Sequence, residues 1–311
     1  MNPGKIVVVM GGPSSEAEVS RRTGKAILDA LLSKGYNAEG LELNPLSFVA
    51  DIQKTNCAVV FNALHGKYGE DGILQGTLDM LDIPYTGSGV LAAALTMNKV
   101  AAKRAFVAAG ISTPRYLHLF ERDKDIELKI KQAFSFPAVI KAIDQGSSIG
   151  VYIVNDEAEL KKSLSEVFAY SKDILAEEFI AGRELTVAVW GNSEQQSAMP
   201  VIEITTTSGR YDYESKYTKG ASQHLVPAEL SAGKTEEVQK LAADAFAVCG
   251  CQGVARVDIM LDKNEKPYVI EVNSVPGMTE TSLVPDAARA MGVEFPELCE
   301  KILALAGFGR E

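Results

Sequence analysis

Arg256-Val257-Asp258-Ile259-Met260, followed by Ile270-Glu271-Val272-Asn273, decides how this chain is read. Both stretches alternate apolar and polar residues with the period of two that a β-strand imposes. Arg256 and Asp258 then share one face, and Glu271 and Asn273 share another. If the strands are neighbours, the polar faces meet as a row of hard oxygen donors. Two carboxylates and an amide oxygen, with positions left for phosphate and water, suit Mg²⁺ better than zinc or calcium. The competing reading is an exposed strand face with scattered charges, and this pattern alone does not separate the two.

Upstream, Gln145-Gly146-Ser147-Ser148-Ile149-Gly150 lies between strand-like stretches at 137–141 and 150–154, just after Lys141. Glycines let a backbone approach a phosphate, and a nearby lysine supplies a point charge for it. Strand, loop, strand is unlike a Walker A loop, whose GK[ST] string leads into a helix. A plain glycine hairpin is the alternative. His65-Gly66-Lys67-Tyr68-Gly69-Glu70-Asp71-Gly72 follows a buried strand at 57–61, where α/β folds gather ligands at the carboxyl ends of parallel strands. His65 alone would be a satisfied turn residue. Gly11-Gly12-Pro13-Ser14-Ser15-Glu16 occupies the same position after the first strand, at 5–10, but G-x-G-x-x-G is absent and a dinucleotide site loses ground.

Helical spacing follows the first strand up to Gly35 and recurs at 73–81, so residues 1–95 are expected to form a small parallel α/β domain. A helix at 98–109, stopped by Gly110, leads to a boundary at Pro114 and a compact α+β lobe over 96–182. That lobe adds a helix at 156–169 and a strand at 174–180. From 183 to 311 strands at 185–190, 254–261 and 268–272 accompany a helix with apolar positions Val238, Leu241, Ala245 and Val248. The segment 205–221 is polar, with no clear period; a loop that long within a compact domain is expected to be a lid or binding loop.

Composition narrows the class. Hydrophobic residues make up 46% of 311 and charged residues 23%, spread along the chain as in ordinary globular proteins, and the length predicts two or three packed modules. A net charge of −10 argues against broad contact with nucleic acid or anionic lipid, while leaving room for a local basic pocket. The opening MNPGKIVVVM is too short an apolar run for a signal segment or membrane span, so a cytoplasmic protein is expected. Cys57, Cys249, Cys251 and Cys299 show neither CxxC spacing nor a histidine cluster, and reduced structural thiols are expected.

Taken in order, the His65-to-Gly72 string, Gly146-Ser147-Ser148, Lys216-Tyr217, Arg256-x-Asp258 and Glu271-x-Asn273-x-x-Pro276-Gly277-Met278 resemble the D-alanine–D-alanine ligases over nearly the whole chain. The resemblance implies a three-domain ATP-grasp fold, with ATP between two antiparallel sheets of the central and C-terminal domains. It implies joining of two D-alanine molecules through a D-alanyl phosphate for peptidoglycan synthesis, two Mg²⁺ (or Mn²⁺) ions, and a homodimer without nucleic-acid or membrane partners. Carried over by position, it assigns Glu177, Phe179, Ile180 and Glu184 to adenine and ribose, Lys99, Lys141 and Ser147-Ser148 to the phosphates, and Asp258, Glu271 and Asn273 to the metal. Glu16 would hold the first D-alanine's ammonium beside His65. Lys216, Ser282 and Leu283 would bind the second D-alanine; Arg256 and the Gly277 N–H would face the reacting carbonyl, with Tyr217 securing the lid to Ser147 and Glu16. A ligase forming D-alanyl-D-lactate would share the metal and phosphate sites, and Tyr217 beside Lys216 favours the dipeptide. Ala142 stands where the family commonly has proline, and Asn98 where it commonly has aspartate.

Overall fold

The computed structural model describes residues 4–146, 148–192, 194–206, 222–279 and 281–307. β1 (Ile6–Met10), β2 (Ala38–Glu42) and β3 (Val59–Asn62) form a parallel sheet in the order β2-β1-β3. β1 reads as an unbroken apolar run because both its faces are covered. Ile6 and Val8 pack with Ile27 and Leu31 of α1 (Ala17–Ser33), while Val7 and Val9 pack with Ile52 of α2 (Phe48–Thr55) and Leu78 of α3 (Ile73–Met80).

Two helices, α4 (Val90–Met97) and α5 (Lys99–Ala108), lead to the second sheet. Asn98 ends one and caps the other: its side-chain oxygen accepts from the Ala101 N–H at 2.9 Å. Asparagine thus does here what aspartate would do at an N-cap. Asn98→Ala is expected to lower stability by about 1 kcal/mol and Asn98→Asp to leave it within about 0.5 kcal/mol, read from urea unfolding midpoints.

The second sheet is antiparallel, β4 (Tyr116–Phe120), β7 (Asp173–Glu178), β5 (Ala138–Ala142) and β6 (Val151–Val154) in that order. α6 (Ile126–Ala133) and α7 (Glu157–Val167) cover one face, Ile130, Leu160 and Leu164 meeting Ile140, Ile174 and Ala176. In the third sheet β11 (Ser222–Leu225), β10 (Ile202–Thr206), β8 (Gly182–Gly191), β12 (Gly253–Asp262) and β13 (Pro267–Asn273) follow in order, and β9 (Gln196–Ala198) pairs with β8. α8 (Ala232–Val248) lays Val238, Ala245 and Phe246 on Val187, Val257 and Ile259, and Phe106 of α5 joins the same core.

The chain then returns to its start. α9 (Leu283–Ala290) and α10 (Phe295–Ala304) bury Val284, Leu298 and Ile302 in one core with Ile6 and Ile27, and Tyr36 donates to Glu300 at 3.1 Å. Thr205 and Thr206, expected in the irregular segment, belong to β10; positions 207–221 lie outside the described residues. Among the described residues no helix is long and apolar enough to cross a membrane. All four cysteines are free thiols.

Candidate active site

The second and third sheets face each other across a cleft of about 770 Å³, the size of a nucleotide or drug-sized ligand site. Val151 and Ile153 form one wall, Met260, Ile270 and Val272 the other, and Phe179 and Ile180, in the link between β7 and β8, close the apolar end. Such walls suit a flat apolar ring system. Glu184 on β8 also lines the cleft, opposite Met260 in the ladder.

At the polar end Lys99, Lys141, Ser148, Asp258, Glu271 and Asn273 come together. Lys99, the first residue of α5, donates to the Gln145 carbonyl at 2.6 Å and lies 3.9 Å from Glu271 Oε2. That bond ties the helix start to the glycine loop. Ser148 takes the left-handed conformation (φ 61) that turns the loop back towards β6, and the Ala142 N–H donates to Gly150 O at 2.9 Å, closing it. Ser147 lies outside the described residues. Glu177 does not line the cleft: its carboxylate is buried behind Lys141, 2.7 Å from that ammonium and 2.8 Å from Lys103.

β12 and β13 pair so that Arg256 opposes Asn273 and Asp258 opposes Glu271, with a bulge immediately after Asp258. Opposed residues of an antiparallel ladder project to the same side, so the two carboxylates and the amide form one group. The Asp258 oxygens accept from Arg256 Nε and Nη2 at 2.8 Å each, from the Thr186 hydroxyl at 2.6 Å and from Asn273 Nδ2 at 3.1 Å. Arg256 is therefore held by Asp258 within the same face. Among the described residues no three or more His, Cys, Asp or Glu side chains gather as a metal cage. Three hard oxygen donors are nevertheless what magnesium takes from a protein when substrate phosphates supply other ligands, so these residues fit that ion.

Glu16, almost fully buried, is where three loops converge. A Cβ at Gly66 would stand 2.8 Å from Glu16 Oε2 and one at Gly146 would stand 2.9 Å from it, so a side chain at either position would push the Glu16 carboxylate from where both backbones close on it. Ser14 stitches the loops, its hydroxyl donating to His65 O at 2.8 Å while accepting from the Glu16 N–H at 3.2 Å. The His65 ring lies 3.1 Å from the Thr23 hydroxyl and 3.4 Å from Glu70 Oε1. Burial pushes the Glu70 carboxyl up; His65 opposes this and the Glu16 carboxylate reinforces it.

Gly277 backs onto Ser282, where a Cβ would meet the hydroxyl at 3.1 Å. Ser282 Oγ accepts from the Thr279 N–H at 3.0 Å and lies 2.8 Å from its hydroxyl. Leu283 is buried in the core shared with the first sheet, leaving little of its side chain for a ligand. Lys216 and Tyr217 lie outside the described residues.

Glu70, Thr186 and Lys103 carried no assigned role in the sequence. Glu70 sits inside the His65-to-Gly72 string and reaches the cleft. Thr186 stands opposite Asp258 in the β8–β12 ladder, a relation that appears only once the strands are paired.

Two antiparallel sheets clasping such a cleft define the ATP-grasp class of proteins. A D-alanine–D-alanine ligase structure from Bacillus anthracis has a TM-score of 0.86 at 35% identity, with 97% of each chain covered. The structure from Bacillus anthracis complexed with ATP gives 0.83 at 33% identity, again with 97% of each chain covered. The chain belongs to the D-alanine–D-alanine ligase family: the profile described as D-ala D-ala ligase C-terminus matches residues 106–304, and that described as D-ala D-ala ligase N-terminus matches 42–88. A D-alanine–D-alanine ligase of Moorella thermoacetica is 47% identical over 307 residues, 97% of this chain and 99% of the relative.

Proposed function

We infer that this chain joins two D-alanine molecules into D-alanyl-D-alanine for peptidoglycan precursor synthesis, with ATP converted to ADP and phosphate. The observation that carries the reading is the meeting of Glu16, Gly66 and Gly146. It supports a seat for the ammonium of the first D-alanine at Glu16, beside the Gly146 loop that lines the phosphate end of the cleft.

The chemistry follows from that placement. A carboxylate is a poor electrophile, so its oxygen first attacks the γ-phosphorus of ATP, ADP leaves, and an acyl phosphate results. Lys141 and Lys99 offset charge on the phosphoryl oxygens, and Glu16 orients the amino acid through its ammonium. Two Mg²⁺ (or Mn²⁺) ions held by Asp258, Glu271 and Asn273 would supply further charge neutralisation at the phosphates. The free amine of a second D-alanine then attacks the carbonyl, the nitrogen loses a proton, and phosphate departs. Arg256 and the Gly277 N–H are assigned to the transient oxyanion, each such donor being worth about 3 kcal/mol. The apolar walls around Phe179 and Ile180 take the adenine, with Glu184 on the ribose.

Three domains, 1–95, 96–182 and 183–311, acting as a cytoplasmic homodimer, complete the reading. The test is ADP release from ATP by the purified chain with D-alanine, with L-alanine as control, and identification of the product by mass spectrometry. D-alanine-dependent ADP release with D-alanyl-D-alanine as product supports it. No D-alanine dependence sinks it, and a D-alanyl-D-lactate product in a mixed assay favours the depsipeptide alternative.

A further inference from the structure

Lys103 is the most deeply buried cation among the described residues, 1% exposed, and it touches no ligand space. Its ammonium lies 2.8 Å from Glu177 Oε1, and the other oxygen of the same carboxylate lies 2.7 Å from Lys141, whose side chain lines the cleft. Burial pushes the Glu177 carboxyl up, yet Lys141 and Lys103 outweigh it and hold it below the usual carboxylate range. Burial pushes the Lys103 ammonium down, Glu177 opposing that and Lys141 adding to it, so this lysine leans on its carboxylate partner, and the cleft side of the cluster is Lys141.

The cluster continues away from the cleft. Lys103 donates to the Thr113 hydroxyl at 2.8 Å and to Pro114 O at 3.3 Å, and Thr113 donates to Val269 O at 2.7 Å. The Val269 N–H returns to Ser112 O at 2.8 Å. Val269 belongs to β13, the strand of Glu271 and Asn273. One chain of buried and half-buried polar contacts therefore runs from the lysine of the second sheet to the carboxylate strand of the third.

We propose that Lys103 is a positioning residue for ATP: through Glu177 it fixes the Lys141 ammonium at the phosphate end of the cleft, and through Thr113 it holds that group in register with β13. Without Lys103 the buried Glu177 carboxylate has a single ammonium to neutralise it, and Lys141 is drawn onto both oxygens and off the phosphates. The proposal rests on the reading of the cleft as an ATP site.

The test compares the parent with Lys103→Met and with the double variant Lys103→Met/Glu177→Gln, using calorimetric ATP binding, thermal unfolding and steady-state kinetics. Lys103→Met is expected to weaken ATP binding by about tenfold or more, the usual consequence of losing a charge-assisted contact. Its Michaelis constant for D-alanine should stay within about twofold, because the ammonium seat at Glu16 is untouched. The double variant removes the unpaired buried charge, so its unfolding midpoint recovers while ATP binding stays weak, since Lys141 has lost its anchor. A purely structural lysine would instead recover both together. Parent-like ATP affinity in either folded variant overturns the proposal, as does failure of the double variant to fold. Should the parent itself lack D-alanine-dependent ADP release, the reading of the reaction fails; a parent that is active beside unaffected variants sinks the Lys103 proposal alone.

Discussion

Glu271→Gln is expected to lower D-alanine-dependent ADP formation by at least about 10²-fold, because a ligand charge that offsets phosphate-bound metal is worth several kcal/mol in the transition state. The unfolding midpoint should move by less than about 3 °C. Glu271 is only partly buried, the cation paired with it among the described residues, Lys99, is 3.9 Å away, and glutamine has the same shape. No cavity opens, and among the described residues only that long ion pair is weakened. What changes is one negative charge opposite Asp258, on the face shared with Asn273. Raised magnesium should restore part of the rate, since the defect would lie in the occupancy and charge of the ion site. Near-parent ADP release at ordinary magnesium would show that this carboxylate does not serve the metal.

Much of this site could be read from the sequence because its elements are local. The alternation in 256–260 and 270–273 is a strand signal in itself, and pairing the two strands in the observed register places Asp258 against Glu271. The β1 run is legible for a different reason, burial on both faces. β2 escapes notice: AEGLE mixes charge, glycine and a single leucine, as an edge strand half open to solvent does. α4 escapes as well, since its apolar residues run nearly all round and leave no polar face to set a period.

Glu177 shows where local reading ends. The pair Glu177-Glu178 closes a strand that leads into the cleft, and alternation says only that the two side chains point apart. Glu178 turns outward to Arg115 at 2.7 Å, while Glu177 turns inward to two lysines from α5 and β5. That meeting depends on the packing of a helix against a sheet, and no spacing along the chain encodes it. The same holds for the glycines around Glu16. As turn residues Gly66 and Gly146 look ordinary, and the reason for them appears only when loops from two sheets close on one carboxylate.

Glu16→Ala is expected to raise the Michaelis constant for the first D-alanine by between about 10- and 100-fold, the loss that goes with a charge-assisted bond of 1.5 to 3 kcal/mol. The constant for ATP should change by less than about twofold, since Lys99 and Lys141 keep their places. Glu16 stands at the N-cap of α1 but makes no side-chain capping bond there, so its removal takes no capping bond from the helix start. The Ser14 link to His65 also survives, because it uses the backbone of both neighbours. Glu16→Gln keeps the volume between Gly66 and Gly146 and deletes only the charge. If attraction for the ammonium is what matters, glutamine should reproduce most of the alanine defect; if the side chain merely props the loops apart, glutamine should behave as the parent. Steady-state kinetics at saturating ATP, repeated at saturating D-alanine, separate the two constants. An equal rise in both would mean that Glu16 organises the loop after β1 and binds no substrate.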